Sequence, residues 1–379
     1  MSIISASSYH PNTATAVTEI SRRFAHCGPG LLLFFCSSHY NLSQLGEQFN
    51  HALPGTQVVG CTSAGELSPQ GYAQNSITAI YFPNTASVSA CALIQDMANF
   101  SLLQSQELVD GLLNQLHQSQ VAPITDNTFA ITLLDGLSIH EEQLLQVLNT
   151  SLGQIPLLGG SAGDDLHFEH TEIYYQGEFY QHAAVLLLVN TRHAFAPFSH
   201  HHLQAKHEKL VVTDANAGQR RVYELNGLPA AQEYARICGL EVCQLSTIQF
   251  ALHPLTVKMG DQYYARSVQQ VHTDLSLSFY SAIEIGVVLT DAQPHDIVTQ
   301  TQAWLGALEQ QVGPPELVLA FDCIFRSLEI NQRQLQPAMN TLLNSYQVAG
   351  FSTYGEQVGG CHLNHTLTGI YFGAEKDHV

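Results

Sequence analysis

The stretch Val58–Phe82, VVGCTSAGELSPQGYAQNSITAIYF, returns near the other end of the chain as a loose copy, Val348–Phe372, VAGFSTYGEQVGGCHLNHTLTGIYF. The two copies align without a gap and share two glycines, a glutamate and the closing Ile-Tyr-Phe. A weaker echo, LLGGSAGDD, lies between them at Leu157–Asp165. Spacing this wide excludes a solenoid, whose repeats recur every ~20–50 residues. The pattern therefore predicts one supersecondary unit that is used three times within a larger fold.

Each copy closes a similar run of predicted elements: a buried strand, a helix, a second strand, a glycine turn and a last strand. The predicted elements of the three units are Leu31–Phe35, Leu42–Leu53, Gln57–Gly60 and Ser76–Phe82; Phe129–Leu134, Glu141–Leu152, Leu157–Leu158 and Ala183–Val189; and Leu317–Phe321, Leu335–Ser345, Val348–Gly350 and Thr366–Phe372. Strands separated by helices of this length indicate βαβ crossovers, and the strand after each turn is expected to pair antiparallel. We therefore predict an α+β or α/β fold in which mixed β-sheets, built from repeated strand-helix-strand units, are flanked by helices.

A region with a different composition and a different order of predicted elements separates the second unit from the third. Its first part, Phe195–His207, is rich in Pro and His and is predicted to be a linker or loop. Further elements are predicted after it, namely strands at Leu210–Thr213, Arg221–Leu225, Tyr263–Val268 and Ser276–Tyr280, and a helix at Pro229–Cys238. We accordingly predict two domains, residues 1–195 and 196–379.

The composition narrows the class of protein. The net charge is −19 with only 13 Lys and Arg residues, which argues against nucleic acid and anionic membranes as partners. The sequence has no apolar run near 18 residues, and its start, MSIISASSYHPN, lacks the features of a secretory signal. We therefore expect a cytoplasmic protein. The eight cysteines form no CxxC motif, so free thiols are expected rather than a zinc site.

The repeated glycine turn has two chemical interpretations. It lacks the Lys-Ser/Thr of a Walker motif, so its acidic residues, Glu66, Asp164 and Glu356, are expected mainly to accept backbone N–H bonds in the turn, with contact to a ligand as the alternative. The middle copy also contains a G-x-S-x-G pattern around Ser161. A nucleophile elbow would place a helix after that serine, whereas the sequence there indicates a loop, so a hydrolase is a minor hypothesis.

The histidines are unusually numerous, at 20. They include the run His200-His201-His202, and the last copy carries His362 and His365 where the first carries a tyrosine and an asparagine. Neutral imidazole ligates iron, copper or zinc, and one axial histidine suffices for a haem in an apolar pocket. Haem propionates usually meet Arg or Lys, and the candidates are Arg192, Arg220, Arg221, Arg266 and Arg326. The alternative is that histidine simply replaces lysine as a polar surface residue.

Several segments resemble a known family. VVGCTSAGE and LLGGSAGDD resemble the N-terminal half of the FIST sensory domain. Three later segments resemble its C-terminal half: RVYELNGLPAAQEYA (Arg221–Ala235), AFDCIFR (Ala320–Arg326) and GFSTYGEQVGGCHLNHTLTGI (Gly350–Ile370). At this length the chain is similar to the bacterial nitric-oxide-sensing group called NosP. That resemblance implies a two-domain FIST fold, haem b bound through a histidine, nitric oxide as ligand, and a partner that is a histidine kinase or a diguanylate cyclase or phosphodiesterase. It thereby implies two-component and biofilm signalling without catalysis by this chain, and a homodimer is compatible with it.

The resemblance also implies an order of preference among the candidate site residues. The family's His-His-aromatic element corresponds to His201-His202-Leu203, with leucine in place of the aromatic residue. It implies His202 and His201 as the first candidates for the iron ligand and His362 as the next, with Arg326 and Arg266 beside the cofactor. The competing hypothesis is a FIST module that senses a small metabolite such as an amino acid without haem, with Glu356 and Asp164 in its pocket.

Overall fold

Three units with the same order of elements make up most of the chain in the computed structural model, which describes residues 2–376. The first two units are continuous in sequence. The first contains β1 (Ile4–Ser8), α1 (Thr13–Phe24), β2 (Gly30–Ser37), α2 (Leu42–Ala52), β3 (Gln57–Ser63), β4 (Glu66–Ser68), β5 (Gly71–Ala73) and β6 (Ile77–Pro83). The second contains β7 (Ser87–Ile94), α3 (Leu102–Ser119), β8 (Thr128–Leu134), α4 (Glu141–Leu152), β9 (Leu157–Ser161), β10 (Ile173–Tyr175), β11 (Glu178–Tyr180) and β12 (Ala184–Thr191).

The third unit is interrupted by an insertion. It begins with β13 (His193–His200), after which the chain forms the inserted elements β14 (Leu203–Asn216), β15 (Arg221–Leu225), β16 (Leu228–Pro229), α5 (Ala230–Cys238), α6 (Thr247–Leu252), β17 (Leu255–Met259), β18 (Gln262–Arg266), β19 (Val268–Val271), β20 (Leu277–Phe279) and β21 (Val288–Pro294). The unit then resumes with α7 (Ile297–Val312), β22 (Leu317–Cys323), α8 (Ile324–Gln332), α9 (Gln336–Ser345), β23 (Val348–Thr353), β24 (Glu356–Val358), β25 (Cys361–Leu363) and β26 (Leu367–Glu375). The inserted strands form a sheet of their own.

Each unit builds a sheet in which its first and last strands pair antiparallel and its two middle strands pair parallel. The orders are β1-β6-β2-β3, β7-β12-β8-β9 and β13-β26-β22-β23. Strands β2, β8 and β22 are buried along their whole length, as expected for central strands that are covered on both faces. The predicted mixed fold with flanking helices and repeated strand-helix-strand units is therefore confirmed.

The units exchange their hairpins in a cycle. The hairpin β4-β5 of the first unit extends the sheet of the third, β10-β11 of the second extends the sheet of the first, and β24-β25 of the third extends the sheet of the second. The inner faces of the three sheets meet in one apolar core, where Phe35 stacks on Phe351 with ring centroids 4.3 Å apart and Phe82 contacts Phe372 at 5.6 Å. The repeated turn is thus the point at which the chain leaves one sheet for the next.

The prediction that Phe195–His207 forms a linker is wrong. This segment contains most of β13 and the start of β14. Strand β13 lies at the edge of its sheet and pairs only with β26, so Pro197 can be accommodated there with little loss of ladder hydrogen bonding. Strand β14 is mostly exposed and has buried residues only at Leu210 and Val212. Its first half therefore lacks the sustained alternation of apolar and polar residues that predicts a strand.

The middle copy of the turn also departs from the alignment of the sequence. In the first and last copies, Glu66 and Glu356 begin the hairpin strand. By the register of the ladders, the position equivalent to them in the second unit is Ile173, because Tyr174 pairs with Gly60 as Gln357 pairs with Gly159. Asp164 instead lies in a longer connection that precedes the hairpin.

Candidate functional site

A cavity of about 700 Å³ opens where the inserted sheet meets the third unit. It is bordered by the end of β13, the start of β14, strand β18, helix α7 and the connections around β24 and β26. The lining residues are Ser199, His200, His201, Leu203, Gln204, Ala205, Gln262, Tyr263, Tyr264, Trp304, Val358 and Thr366. The volume lies within the ~300–1,000 Å³ that is usual for cofactor and ligand pockets. The walls are largely aromatic and aliphatic, with two imidazoles among them.

One wall of the cavity is formed by the stacked rings of Trp304 and His200. Trp304 is the only tryptophan of the chain, and its ring lies 5.2 Å from that of His200 at an angle of 14°. Burial, together with the nearby Arg326 guanidinium, lowers the pKa of His200 to about 3, so its ring is neutral. Its Nε2 is buried and has no hydrogen-bond partner among the described residues.

His201 borders the cavity directly. The N–H of Leu203 approaches its Nδ1 at 3.3 Å, a long and therefore weak hydrogen bond. Burial lowers the pKa of the ring, so that the neutral imidazole needed for metal ligation is the ordinary form. The ring also hydrogen-bonds the main chain of Tyr263. Ligation through Nε2 would therefore require the ring to release the main-chain groups of both Tyr263 and Leu203 and to place its own proton on Nδ1.

His202 faces away from the cavity into a buried polar network. Its Nε2 lies 2.7 Å from Oε2 of Glu329, and Arg326 donates to its Nδ1 at 3.1 Å. Burial and Arg326 lower the pKa of His202 to about 2, so the neutral ring carries its proton on Nε2 and donates it to Glu329. Both ring nitrogens are therefore occupied, and His202 can bind a metal ion only if this network opens.

Arg326 belongs to the same network. Its Nε donates to Oδ1 of Asp322 at 2.6 Å, an NH2 group donates to Thr301 at 3.2 Å, and the hydroxyl of Tyr72 donates to the other Asp322 oxygen. Only 1% of Arg326 is exposed. The guanidinium thus balances a buried carboxylate and does not line the cavity.

Arg266 is placed differently. It follows Tyr264 by two residues on β18, so the two side chains leave the same face of that strand. One NH1 donor bonds the carbonyl oxygen of Ala265 at 3.0 Å, and no carboxylate of the described chain lies within ion-pair distance. Burial lowers the pKa of the guanidinium, which nevertheless stays charged.

The two histidines of the last repeat copy lie outside the cavity lining. His365 stacks on Phe325 at 4.9 Å, and neither of its ring nitrogens has a hydrogen-bond partner in the described structure. His362 lies beside Glu142, with 3.9 Å between Nδ1 and Oε1. Burial lowers the pKa of His362 to about 4, with Arg220 and Arg266 acting in the same direction.

The glutamates of the repeated turn are structural. Glu66 accepts hydrogen bonds from Ser63 and from the hydroxyl and N–H of Ser76. Glu356 accepts the equivalent set from Thr353 and Thr366. Burial raises the pKa of each to about 8, although the hydrogen bonds oppose this. Neither carboxyl borders the cavity.

Asp164 has a similar structural role in its longer connection. Its carboxylate accepts the N–H groups of Phe168, Glu169 and His170 at 2.7–2.8 Å, as well as the hydroxyl of Tyr354. The expectation that the turn carboxylates bind backbone N–H groups is confirmed. The metabolite hypothesis, which placed Glu356 and Asp164 in a ligand pocket, finds no support in this geometry.

The serine of the G-x-S-x-G pattern is not an exposed nucleophile. Ser161 is fully buried at the end of β9, where its Oγ accepts a hydrogen bond from Gln357 at 3.0 Å. A loop follows it instead of a helix. The hydrolase hypothesis therefore lacks its structural context. All eight cysteines are free thiols, as expected.

The comparisons with known proteins agree with this architecture. Residues 30–228 match the FIST N domain and residues 230–359 match the FIST C domain. The molecule is thus a sensory-domain protein with a mixed, two-domain architecture. Because these matches cover more than half of its length, the chain belongs to the FIST family.

A curated relative adds little about activity. An uncharacterized protein of Methanocaldococcus jannaschii is 32% identical over 111 residues, which are 29% of this chain and 21% of that protein. The chain therefore spans about a fifth of the length of this relative. No helix in residues 2–376 is long and apolar enough to cross a membrane.

Several cavity residues were not singled out from the sequence. The sequence predicts no separate role for His200 within the histidine run and no site role for Trp304, Tyr263 and Tyr264. Two signals could have indicated them: Trp304 is the only tryptophan, and Tyr263-Tyr264 interrupts the alternation of its predicted strand. Their meeting with His201 depends on the insertion packing against α7, which the sequence pattern does not specify.

Proposed function

We propose that this FIST protein is a haem-based nitric oxide sensor, with haem b held in the cavity beside His201. The observation that carries the proposal is the cavity of about 700 Å³ that brings this histidine together with an aromatic wall. A haem needs an apolar slot of this size class, a neutral imidazole and a cation for its carboxylates. The described residues supply all three if Arg266 meets the carboxylates.

Each of the candidate residues then takes a different part. His201 would bind the iron, and His200 would stay stacked on Trp304 as part of the wall. His202 and Arg326 would hold the adjacent main chain through their buried network rather than contact the cofactor. The bound group supplies a ferrous centre with high affinity for nitric oxide. Tyr263 and Tyr264 would shield it from water.

Signalling follows from the position of His201. It lies in the short connection between β13 and β14, so a ligand that moves His201 acts directly on the junction between the third unit and the inserted sheet. We propose that this shifts the population of two arrangements of that junction. The output would be contact with a histidine kinase or with a diguanylate cyclase or phosphodiesterase, as in two-component and biofilm signalling.

The test is a series of histidine variants reconstituted with haemin. His201→Ala should weaken haem binding by more than tenfold or change the Soret band, because it removes the iron ligand. His202→Gln should retain the wild-type band position, since that ring does not line the cavity. Affinities from absorbance titration and the spectra of the ferrous nitric oxide complex measure both effects.

His170→Gln is the matched control, because this exposed histidine lies away from the cavity. Circular dichroism of every variant separates lost ligation from lost fold. A wild-type spectrum and affinity in folded His201→Ala would place the ligand elsewhere. If only His202→Gln lost the band, the buried network would have to open on haem binding.

A further inference from the structure

A cluster of ligand-type side chains lies where α4, β25 and the inserted sheet meet. Glu141 and Glu142 belong to the first turn of α4, and His362 projects from β25. One potential ligand atom of each lies within 4.8 Å of the other two. None of these residues lines the cavity discussed above.

The carboxylates of Glu141 and Glu142 are both held by one arginine, Arg220. Arg220 donates through NH2 to Oε2 of Glu141 at 2.6 Å and to Oε2 of Glu142. The Ala282 N–H donates to Oε1 of Glu142 at 2.7 Å, which leaves lone pairs on that oxygen. Ligating carboxylates commonly receive such outer hydrogen bonds, which fix their orientation.

His362 supplies an independent sign that a ligand belongs here. Its side chain is 2% exposed, and both ring nitrogens are buried without a hydrogen-bond partner in the described structure. Nε2 is packed against Gly355, where a Cβ atom would lie 1.7 Å from it, so this edge of the ring is closed. Nδ1 is left aimed at Oε1 of Glu142, 3.9 Å away.

That 3.9 Å separation is too long for a hydrogen bond but close to the spacing of two ligands on one metal ion. Ligand atoms bound at ~2.0–2.1 Å in tetrahedral geometry are ~3.3 Å apart. For this pair a shift of roughly half an ångström by Glu142 closes the difference, and the other pairs, which are up to 4.8 Å apart, would have to close by at most about 1.5 Å. The side chain of Glu142 is 23% exposed, which leaves a path for the ion to enter.

We propose that Glu141, Glu142 and His362 bind a divalent first-row transition-metal ion, with Nδ1 of His362 and one oxygen of each glutamate as ligands and Arg220 as the outer partner of the carboxylates. One nitrogen and two oxygen ligands suit zinc and its neighbours. Arg220 and Arg266 offset the charge of the two carboxylates, so it is the convergence of the three ligand atoms, rather than net charge, that favours a cation here. The ion would fasten the second unit to the third and to the inserted sheet.

The test uses the full chain, stripped with a chelator and then titrated with Zn²⁺. The wild type should bind one equivalent that raises the midpoint of thermal unfolding, as expected for an ion that binds the native state. Glu142→Gln should lower this affinity by at least tenfold. His362→Gln should do the same, and Glu142→Gln is informative alone if His362→Gln fails to fold.

His182→Gln is the matched control, because that exposed histidine also lies near a carboxylate, Asp135, at 3.2 Å. Its Zn²⁺ affinity should equal that of the wild type. Substituting Co²⁺ for zinc should give visible absorption bands in the wild type that are absent from Glu142→Gln. Equal binding by wild type and Glu142→Gln, or loss of the tight equivalent in His182→Gln, would overturn the proposal and indicate an adventitious ion only.

Discussion

Single buried side chains decide much of this fold, and Glu66 and Glu356 illustrate how. The two residues occupy equivalent positions. Each accepts one hydrogen bond from a hydroxyl three residues before it and two from the residue that precedes the last strand of its unit. The sequence predicted the backbone N–H bonds of these carboxylates but not the hydroxyl groups of Ser63, Ser76, Thr353 and Thr366 that also donate to them. Asp164 also accepts backbone N–H groups as expected, but the sequence alignment wrongly placed it at the position of Glu66 and Glu356, because residue identity does not reveal the longer connection in the second unit.

Glu356→Ala is expected to destabilise the protein by about 2–4 kcal/mol, because it leaves the buried N–H and hydroxyl of Thr366 without their acceptor. Urea unfolding followed by circular dichroism measures the change. Glu169→Ala, at an exposed position, is the control and should stay within about 0.5 kcal/mol of the wild type. Equal stabilities for the two variants would contradict the structural role of Glu356.

The pH dependence of the unfolding free energy should reveal the raised pKa of the buried Glu66 carboxyl group. Burial raises the pKa of Glu66 to about 8, above the ordinary value of 4.5 for a glutamate, so the folded state holds a proton that the unfolded state loses between these values. Its contribution to stability is therefore full below about pH 4.5 and is lost as the pH rises toward 8.

Comparing Glu66→Gln with the wild type isolates this proton. Between pH 5 and pH 8 the unfolding free energy of the wild type should fall more steeply than that of the variant, by up to about 1.4 kcal/mol per pH unit. Chemical denaturation at several pH values measures both slopes. Parallel slopes would mean that Glu66 is ionised in the folded state.

At the scale of elements, the sequence was most informative for the buried central strands and for the helices that connect them within the three units. Helix α4 begins and ends at the predicted residues, and Asn41 caps α2 by accepting the Gln44 N–H at 3.0 Å. Helices α1, α3, α6, α7 and α8 were not predicted. Helix α8 follows β22 without a loop, so no turn residue marks its start. The cavity was out of reach for a related reason, because its walls come from elements far apart in sequence.

The close packing of paired strands gives a prediction at this scale. A Cβ atom at Gly60 would lie 2.4 Å from the carbonyl oxygen of Phe34 and 2.6 Å from its ring. Gly60→Ala should therefore cost about 1–3 kcal/mol of unfolding free energy by overpacking. Thermal unfolding compares it with Gly111→Ala.

Gly111 is a glycine in α3 with open space where its Cβ would be, so alanine there should stabilise the helix by about 0.5–1 kcal/mol. The two identical chemical changes are thus expected to have opposite signs. A neutral or stabilising Gly60→Ala would show that β2 and β3 can separate at this point.

For the whole molecule, the exchanged hairpins bear on the predicted division into residues 1–195 and 196–379. Each of the three sheets is completed by a hairpin from another unit, so a cut between the halves removes β24-β25 from the second unit and leaves β4-β5 without its partner β23. The sequence revealed that the units are related but not that they exchange strands, because which strands pair depends on how the three units pack together in the folded core.

We accordingly expect the fragment of residues 1–195 to be unfolded or aggregated when expressed alone, and to gain protease resistance when residues 196–379 are co-expressed. The exposed edge of β9 and the unpaired hairpin are the physical reason. Limited proteolysis and circular dichroism of the two fragments, separately and together, measure this. A stable, monomeric first fragment would show that the hairpin exchange contributes little.

The central claim, a cavity beside His201 that holds haem and responds to nitric oxide, is tested most directly by one absorption spectrum. The full chain is produced with a supply of haem, purified, reduced and exposed to nitric oxide. We predict about one haem per chain, a Soret band, and a shift of that band on addition of nitric oxide. A folded, colourless protein that takes up no haemin would contradict the claim.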